Sequence, residues 1–241
     1  MTTQEFSNSF TVLLNSFALA NNFGEEASKQ TVTLDEYEKS VFLTKAQEEL
    51  VFSLYNGRNP LGESFEETEE LRRYLSNLVV EDHPEQTSCG DMIGVSPKST
   101  FYQLNDDVWF ITYEAITVKG GGGCHDGSVL DVIPVTQDEY HRIKRNPFRG
   151  FNSRRALRLD LADNVVEIVS QYSVKDYYIR YVRKLKPIIL EDLTKDGLSI
   201  EGETSVTECE LHQALHRMIL ERAVNLALQT RGIYDNTNKN N

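Results

Sequence analysis

The sequence predicts an α+β protein: an N-terminal helical bundle, a small antiparallel β domain (a sandwich or one curled sheet) and a long C-terminal helix. Three observations carry this. Apolar residues recur at helical spacing through the first 80 residues, in segments opened by capping-box pairs. Between 108 and 184 the apolar residues become β-branched and aromatic, in runs of strand length. The helical period then returns from about 208 to 230. The resulting division is 1–80 helical bundle, 81–100 linker or loop, 101–190 β domain with one short inserted helix, 191–232 acidic loop and C-terminal helix, and 233–241 disordered tail.

Phe6, Phe10, Leu13, Phe17 and Ala20 form the first helical stripe, and Gly24 sits where that helix should stop. Thr33 precedes a short turn with Glu36 at a capping-box position, and Thr44 with Gln47 is expected to open the second helix. Leu50, Val51, Leu54 and Tyr55 line its face and Gly57 ends it. Ser64 with Glu67 is expected to open a third, carrying Leu71, Tyr74, Leu75 and Leu78. Residues 81–100 show no period and many turn-formers, as a linker or a loop that orders only against a partner would.

Residues 108–118 and 129–135 read as two strands of a hairpin whose tip holds Gly120 to Gly123 and Cys124-His125-Asp126-Gly127. Thr136 then caps a short helix, with Glu139 placed to complete the box, and Asn146-Pro147 ends it because the residue before proline is pushed out of the α region. Strands at 156–161 and 165–170 flank a turn at Ala162-Asp163-Asn164, and a fifth strand covers 176–184. Residues 191–206 form an acidic loop. The last helix is expected from about 208, with Thr207 as N-cap and Glu210 closing the box. Leu220, Val224 and Leu228 lie off its main stripe, so it should touch a second surface beyond its own domain.

Composition narrows the function. No apolar run approaches the roughly 20 residues needed to cross a bilayer, and the N-terminal stretch lacks the basic start of a secretory signal. Three scattered cysteines, Cys89, Cys124 and Cys209, suit neither a disulfide framework nor a cysteine zinc site. Net charge is −12, unevenly spread: residues 1–140 carry 24 acids against 8 bases, and residues 141–241 carry 13 against 17. That balance disfavours free, sequence-reading nucleic-acid binding. It suits an acidic part of one copy meeting a basic part of another. The basic excess concentrates in Arg142, Lys144, Arg145, Arg149, Arg154, Arg155 and Arg158, with no carboxylate between Glu139 and Asp160. Such a run is a solvated rim or a contact surface for something negative. Phe148 and Phe151 beside it could stack on bases, or could anchor the loop to the sheet while the arginines meet an acidic neighbour; the second reading is favoured.

Catalytic signals are weak. Cys124, His125 and Asp126 have the residue types of a nucleophile, base and orienter, but neighbours on a strand point to opposite sides and a glycine-rich tip holds groups poorly. The glycine run lacks the P-loop pattern and does not precede a helix. His212 and His216 are spaced as an i,i+4 pair, yet Gln213 stands where a metalloprotease motif needs glutamate. No catalytic, cofactor-binding or metal-binding residue is therefore assigned.

Three strings, DVIPVTQDEYHRIKRNPF, DYYIRYVRKLKPIILEDL and TECELHQALHRMILERAVNLAL, resemble the small virion proteins of crAss-like, short-tailed phages of gut Bacteroidales, in particular the ring proteins that join portal to tail. The resemblance covers most of residues 35–232. It implies a homo-oligomeric ring, expected to be twelvefold like the portal, in the portal–tail connector of the virion. The subunits would be assembled in the host cytoplasm and contact the portal and neighbouring tail or ring proteins. Double-stranded DNA would pass through the lumen, with no cofactor, no membrane and no catalytic residues. Arg142, Lys144, Arg145, Arg154 and Arg155 are then expected to contact other subunits or DNA. Alternatives are another tail component (a hub or stopper) or a hydrolase using Cys124 and His125.

Overall fold

A computed structural model of the chain describes residues 1–21, 33–58, 65, 67–88, 94–119 and 126–230. Cys89, Gly120 to Gly123, Cys124, His125, Ser64, Gly24 and the tail 233–241 lie outside them, as does the Ala20 side chain. The protein is α+β, with helices at both ends of the chain and a mixed sheet between. Contacts divide it into two compact units, 1–77 with 185–241, and 78–184.

In the first unit, α1 (Thr3–Asn21) buries Phe6, Phe10 and Leu14, an i, i+4, i+8 stripe. The stripe is shifted from the expected one: Phe17 is exposed and Leu13 only half-buried. Helix α2 runs unbroken over Glu36–Tyr55. Asp35 is its N-cap, accepting from the Glu38 amide at 2.6 Å while the Glu38 carboxylate accepts from the Asp35 amide at 3.2 Å. Thr44 and Gln47 are therefore not a cap. With Ser40 they form a buried polar row one turn apart along α2, which hydrogen-bonds the extended residues 186–190. Gln47 Nε2 donates to the Lys186 carbonyl at 2.7 Å, Thr44 Oγ1 accepts from the Ile188 amide at 3.1 Å, and Ser40 Oγ accepts from the Leu190 amide at 3.0 Å. An extended segment paired elsewhere only through Ile189 thus has the rest of its backbone satisfied by a helix face. Gly57, with φ of 70°, follows the end of α2 in the left-handed region that glycine tolerates. Helix α3 (Glu69–Tyr74) is capped by Thr68, with Leu71 fully buried.

Helix α5 begins later than expected, at Gln213, and runs to Thr230. Thr207 pairs with Ile189 instead, and its hydroxyl donates to the Pro187 carbonyl at 2.6 Å, so it is held in extended backbone away from a cap. The many-sided apolar surface of α5 is explained inside the unit, because α1 and α2 both pack on it. Val224 and Leu228 are fully covered within the unit. The acidic loop is likewise ordered within the chain: Leu193 and Ile200 bury against Ile189, with Tyr37 beside them.

The second unit is an eight-stranded sheet in the order β1-β8-β4-β5-β6-β7-β3-β2. Its strands are β1 (Val79–Asp82), β2 (Gln86–Thr87), β3 (Ser99–Gln103), β4 (Val108–Lys119), β5 (Val129–Pro134), β6 (Arg155–Asp160), β7 (Val165–Val169) and β8 (Ser173–Arg183). Residues 81–100, expected as linker, contribute to β1, β2 and β3, which are too short to show a period. All pairs are antiparallel except β5 with β6. That pair is parallel because α4 (Gln137–Ile143) and the loop after it carry the chain back along the sheet. At the β6–β7 turn, Asp163 and Asn164 have φ of 59° and 56°, the left-handed pair that a tight hairpin requires.

The strands form one curled sheet, as expected, rolled into an open barrel whose edge strands β1 and β2 lie close but are not paired. Its outermost strands, β1 and β2, are consecutive in the chain and separated only by residues 83–85. Four peptide links reach about 15 Å, whereas the ends of a flat eight-stranded sheet would stand about 34 Å apart. Across the seam, Asn105 Nδ2 donates to Asp82 Oδ2 at 2.8 Å, and the rings of Tyr102 on β3 and Tyr177 on β8 approach to 5.0 Å. The interior is filled by Tyr102, Ile116, Leu130, Ile168, Tyr177 and Ile179 with their neighbours. It also holds a buried ion pair, Arg158 and Glu114, 3.2 Å apart, with Asp160 3.3 Å from Arg158. Glu114 accepts the Tyr177 hydroxyl at 2.8 Å, and burial pushes the Glu114 pKa up against the opposing pull of Arg158.

Candidate interaction surface

The basic segment sits on the outside of the barrel, between α4 and β6. Thr136 Oγ1 accepts from the Glu139 amide at 3.2 Å and sets the direction of α4. Tyr140 and Ile143 of α4 then bury against Leu157, Leu159 and Val169, with Phe151 added from the loop. This second, smaller core holds the segment at both ends. Between these anchors the backbone is fixed locally. Asn146 Oδ1 accepts from the amides of Phe148 (2.9 Å) and Arg149 (3.3 Å), and the Gly150 amide donates to the Asn146 carbonyl at 2.8 Å. Asn152 Oδ1 accepts from the Arg154 amide at 2.9 Å. Gly150 is buried, and a Cβ there would stand 2.8 Å from the Asn146 oxygen and 2.9 Å from that of Ile143.

On this frame Arg142, Lys144, Arg145, Arg149 and Arg154 are exposed. Arg155 is half-buried, and its NH1 donates to the Phe148 carbonyl at 3.0 Å. The Lys144 ammonium lies 3.4 Å from His141 Nδ1, and none of the six cations pairs with a carboxylate among the described residues. Arg158 leaves the cluster altogether, because alternation on β6 turns it into the barrel. The two phenylalanines also part company. Phe151 anchors the loop, but Phe148 is 85% exposed, with Arg149 next to it in the chain and Arg155 on its carbonyl. Sequence reasoning expected both to anchor.

A second exposed apolar feature lies in the helical unit and was missed, because Leu13 read as part of the buried stripe. A groove of about 500 Å³ runs between α1 and α5, with Met1, Val12, Leu13 and Leu220 as its apolar lining and Asn8, Ser9, Arg217 and Glu221 as its polar lining. Arg217 and Glu221 pair with each other at 2.9 Å. Val12 is 65% exposed. The signal was present in the sequence as apolar residues at 10, 12, 13, 14 and 17, too many for one stripe.

The histidine pair is not a metal site. His212 precedes α5 rather than sitting on it. His216 is buried with both ring nitrogens engaged: Nε2 lies 2.9 Å from the Leu211 carbonyl, and Nδ1 lies 2.8 Å from the Met1 amino group. Burial pushes its imidazole pKa down. Among the described residues no three His, Cys, Asp or Glu side chains are grouped to hold a metal ion, and no helix is long and apolar enough to cross a membrane. Of the Cys124-His125-Asp126 string only Asp126 is described, and it is exposed in a turn.

Comparison with known proteins places this architecture. Residues 1–240 match the sequence profile of a family described as phage tail ring protein 3/4. The chain is similar to "Ring protein 3" of Bacteroides phage crAss001, 49% identical over 230 residues that span 95% of each chain. It is also similar to "Ring protein 4/5" of the same phage, 29% identical over 235 residues, 94% of this chain and 92% of that one.

Proposed function

Because the chain belongs to the tail ring protein family of crAss-like phages, we propose that it forms a ring of twelve identical copies in the portal–tail connector, with the double-stranded DNA genome passing through the opening. Its role on this reading is structural. Its neighbours are the portal above or below and adjoining tail rings, and subunits made in the host cytoplasm join the particle there. The full-length match to a ring-protein family is the observation that carries the proposal. The exposed cations Arg142, Lys144, Arg145 and Arg154, with half-buried Arg155, serve on this reading as contacts to other subunits or to DNA.

Electron cryo-microscopy of intact particles tests it. The expected result is density for this fold repeated twelve times around the tail axis next to the portal, enclosing a channel wider than the roughly 20 Å of a DNA duplex. Another copy number, a site distal to the connector, or an occluded axis would reject the corresponding part.

A further inference from the structure

We propose that Phe148 anchors the contact between neighbouring copies: the basic loop of one copy seats this ring in the apolar groove between α1 and α5 of the next. The proposal rests on the ring reading above and adds its partner surfaces.

A closed ring of identical subunits needs two different, mutually complementary patches on every chain, since the contact is head-to-side rather than self-matching. Among the described residues, the two most exposed large apolar side chains are Phe148 at 85% and Val12 at 65%. One is a projection and the other borders a groove of about 500 Å³, room for a phenyl ring and the aliphatic stem of a flanking arginine. The projection is built rather than frayed. Asn146 holds the Phe148 and Arg149 amides, Arg155 holds the Phe148 carbonyl, and Gly150 closes the turn where no side chain fits. A preorganised, exposed aromatic in a segment rich in arginine has the composition of an interface hot spot.

Charge points the same way. From Arg142 to Arg155 the chain has six cations and no carboxylate. The helical unit that carries the groove holds 22 acidic and 12 basic residues over 1–77 and 185–241. A neighbouring copy therefore offers the loop an apolar socket, itself flanked by the Arg217–Glu221 pair, on a unit of net negative charge. DNA fits less well, because a duplex admits an apolar wedge only by unstacking base pairs at a cost of a few kcal/mol.

Two measurements on the full-length chain decide. In rings assembled from a mixture of Phe148→Cys and Val12→Cys chains, a short bismaleimide should give a dimer absent from either variant alone or from the unmodified chain. Only a contact between copies can make it. Phe148→Ala alters an exposed side chain and leaves the fold intact, so it should raise the concentration at which rings dissociate by about 30-fold. Rings that form without the cross-link, or whose dissociation is unmoved by Phe148→Ala, overturn the docking while leaving the ring reading standing. A chain that forms no ring, in particles or in solution, overturns both. Looser genome retention in Phe148→Ala particles with unchanged ring stability would assign the loop to DNA and overturn the docking.

Discussion

Arg158 is the residue whose surroundings are least forgiving. It is 8% exposed and lies beside Glu114 and Asp160, yet its Nε and NH1 make no hydrogen bond of acceptable geometry. The contact is an ion pair held by burial, and removing one partner strands the other. Arg158→Met should cost about 3–5 kcal/mol in urea unfolding, and adding Glu114→Met should recover much of that loss. Gly150 is constrained by space instead: Gly150→Ala drives a methyl into two backbone oxygens and should cost about 1–3 kcal/mol by the same assay. Glu48 gives a pH signature. Partial burial and the nearby Glu201 carboxyl raise its pKa from 4.5 to about 7. The folded state therefore keeps a proton that the unfolded chain releases. Stability from this group is whole below about pH 4.5 and declines as pH rises to about 7. Glu48→Gln should flatten that decline and stabilise the protein above it by a few tenths to about 1 kcal/mol, reduced because the site is partly solvated.

At the scale of elements, α2 tests how the extended residues 186–190 are held. Replacing Thr44 with Val removes a buried partner of the Ile188 amide and carbonyl, and should cost about 1–3 kcal/mol while speeding hydrogen exchange at Ile188. The same residues show where sequence reading stops. Thr44 and Gln47 have the spacing of a capping box, and only the presence of a distant extended segment tells a mid-helix polar row from a helix start. Five strands were legible: β4, β5, β7 and β8 from runs of β-branched and aromatic residues, and β6 from the alternation of Ala156 to Leu161. β1, β2 and β3 were not, being short pieces of four, two and five residues with polar residues and turn-formers between them. The helix cap at Thr136 was legible because its signal is local. Whether Phe148 or Phe151 faces inward was not, because both flank the same glycine and only the three-dimensional position of the second core separates them.

For the whole molecule, family membership was written in strings spread from the barrel to the last helix, while the barrel's closure was not. Closure depends on two edges meeting, a relation no local pattern records. Tyr102 spans that seam, so Tyr102→Ala should cost about 3–5 kcal/mol and unfold the barrel cooperatively rather than fray one strand; near-ultraviolet circular dichroism and urea titration would read both.

That seam bears on how a crowded particle is built. Proteins synthesised in many copies face the hazard that one chain's unpaired backbone recruits the next and growth never stops. Here the outermost strands are only four and two residues long and are held close to each other by residues 83–85. Little hem is left open for another chain to stitch onto. Among the described residues, these short edges therefore give a second copy few free backbone groups to extend, and any contact there falls to side chains, which can let go when misplaced.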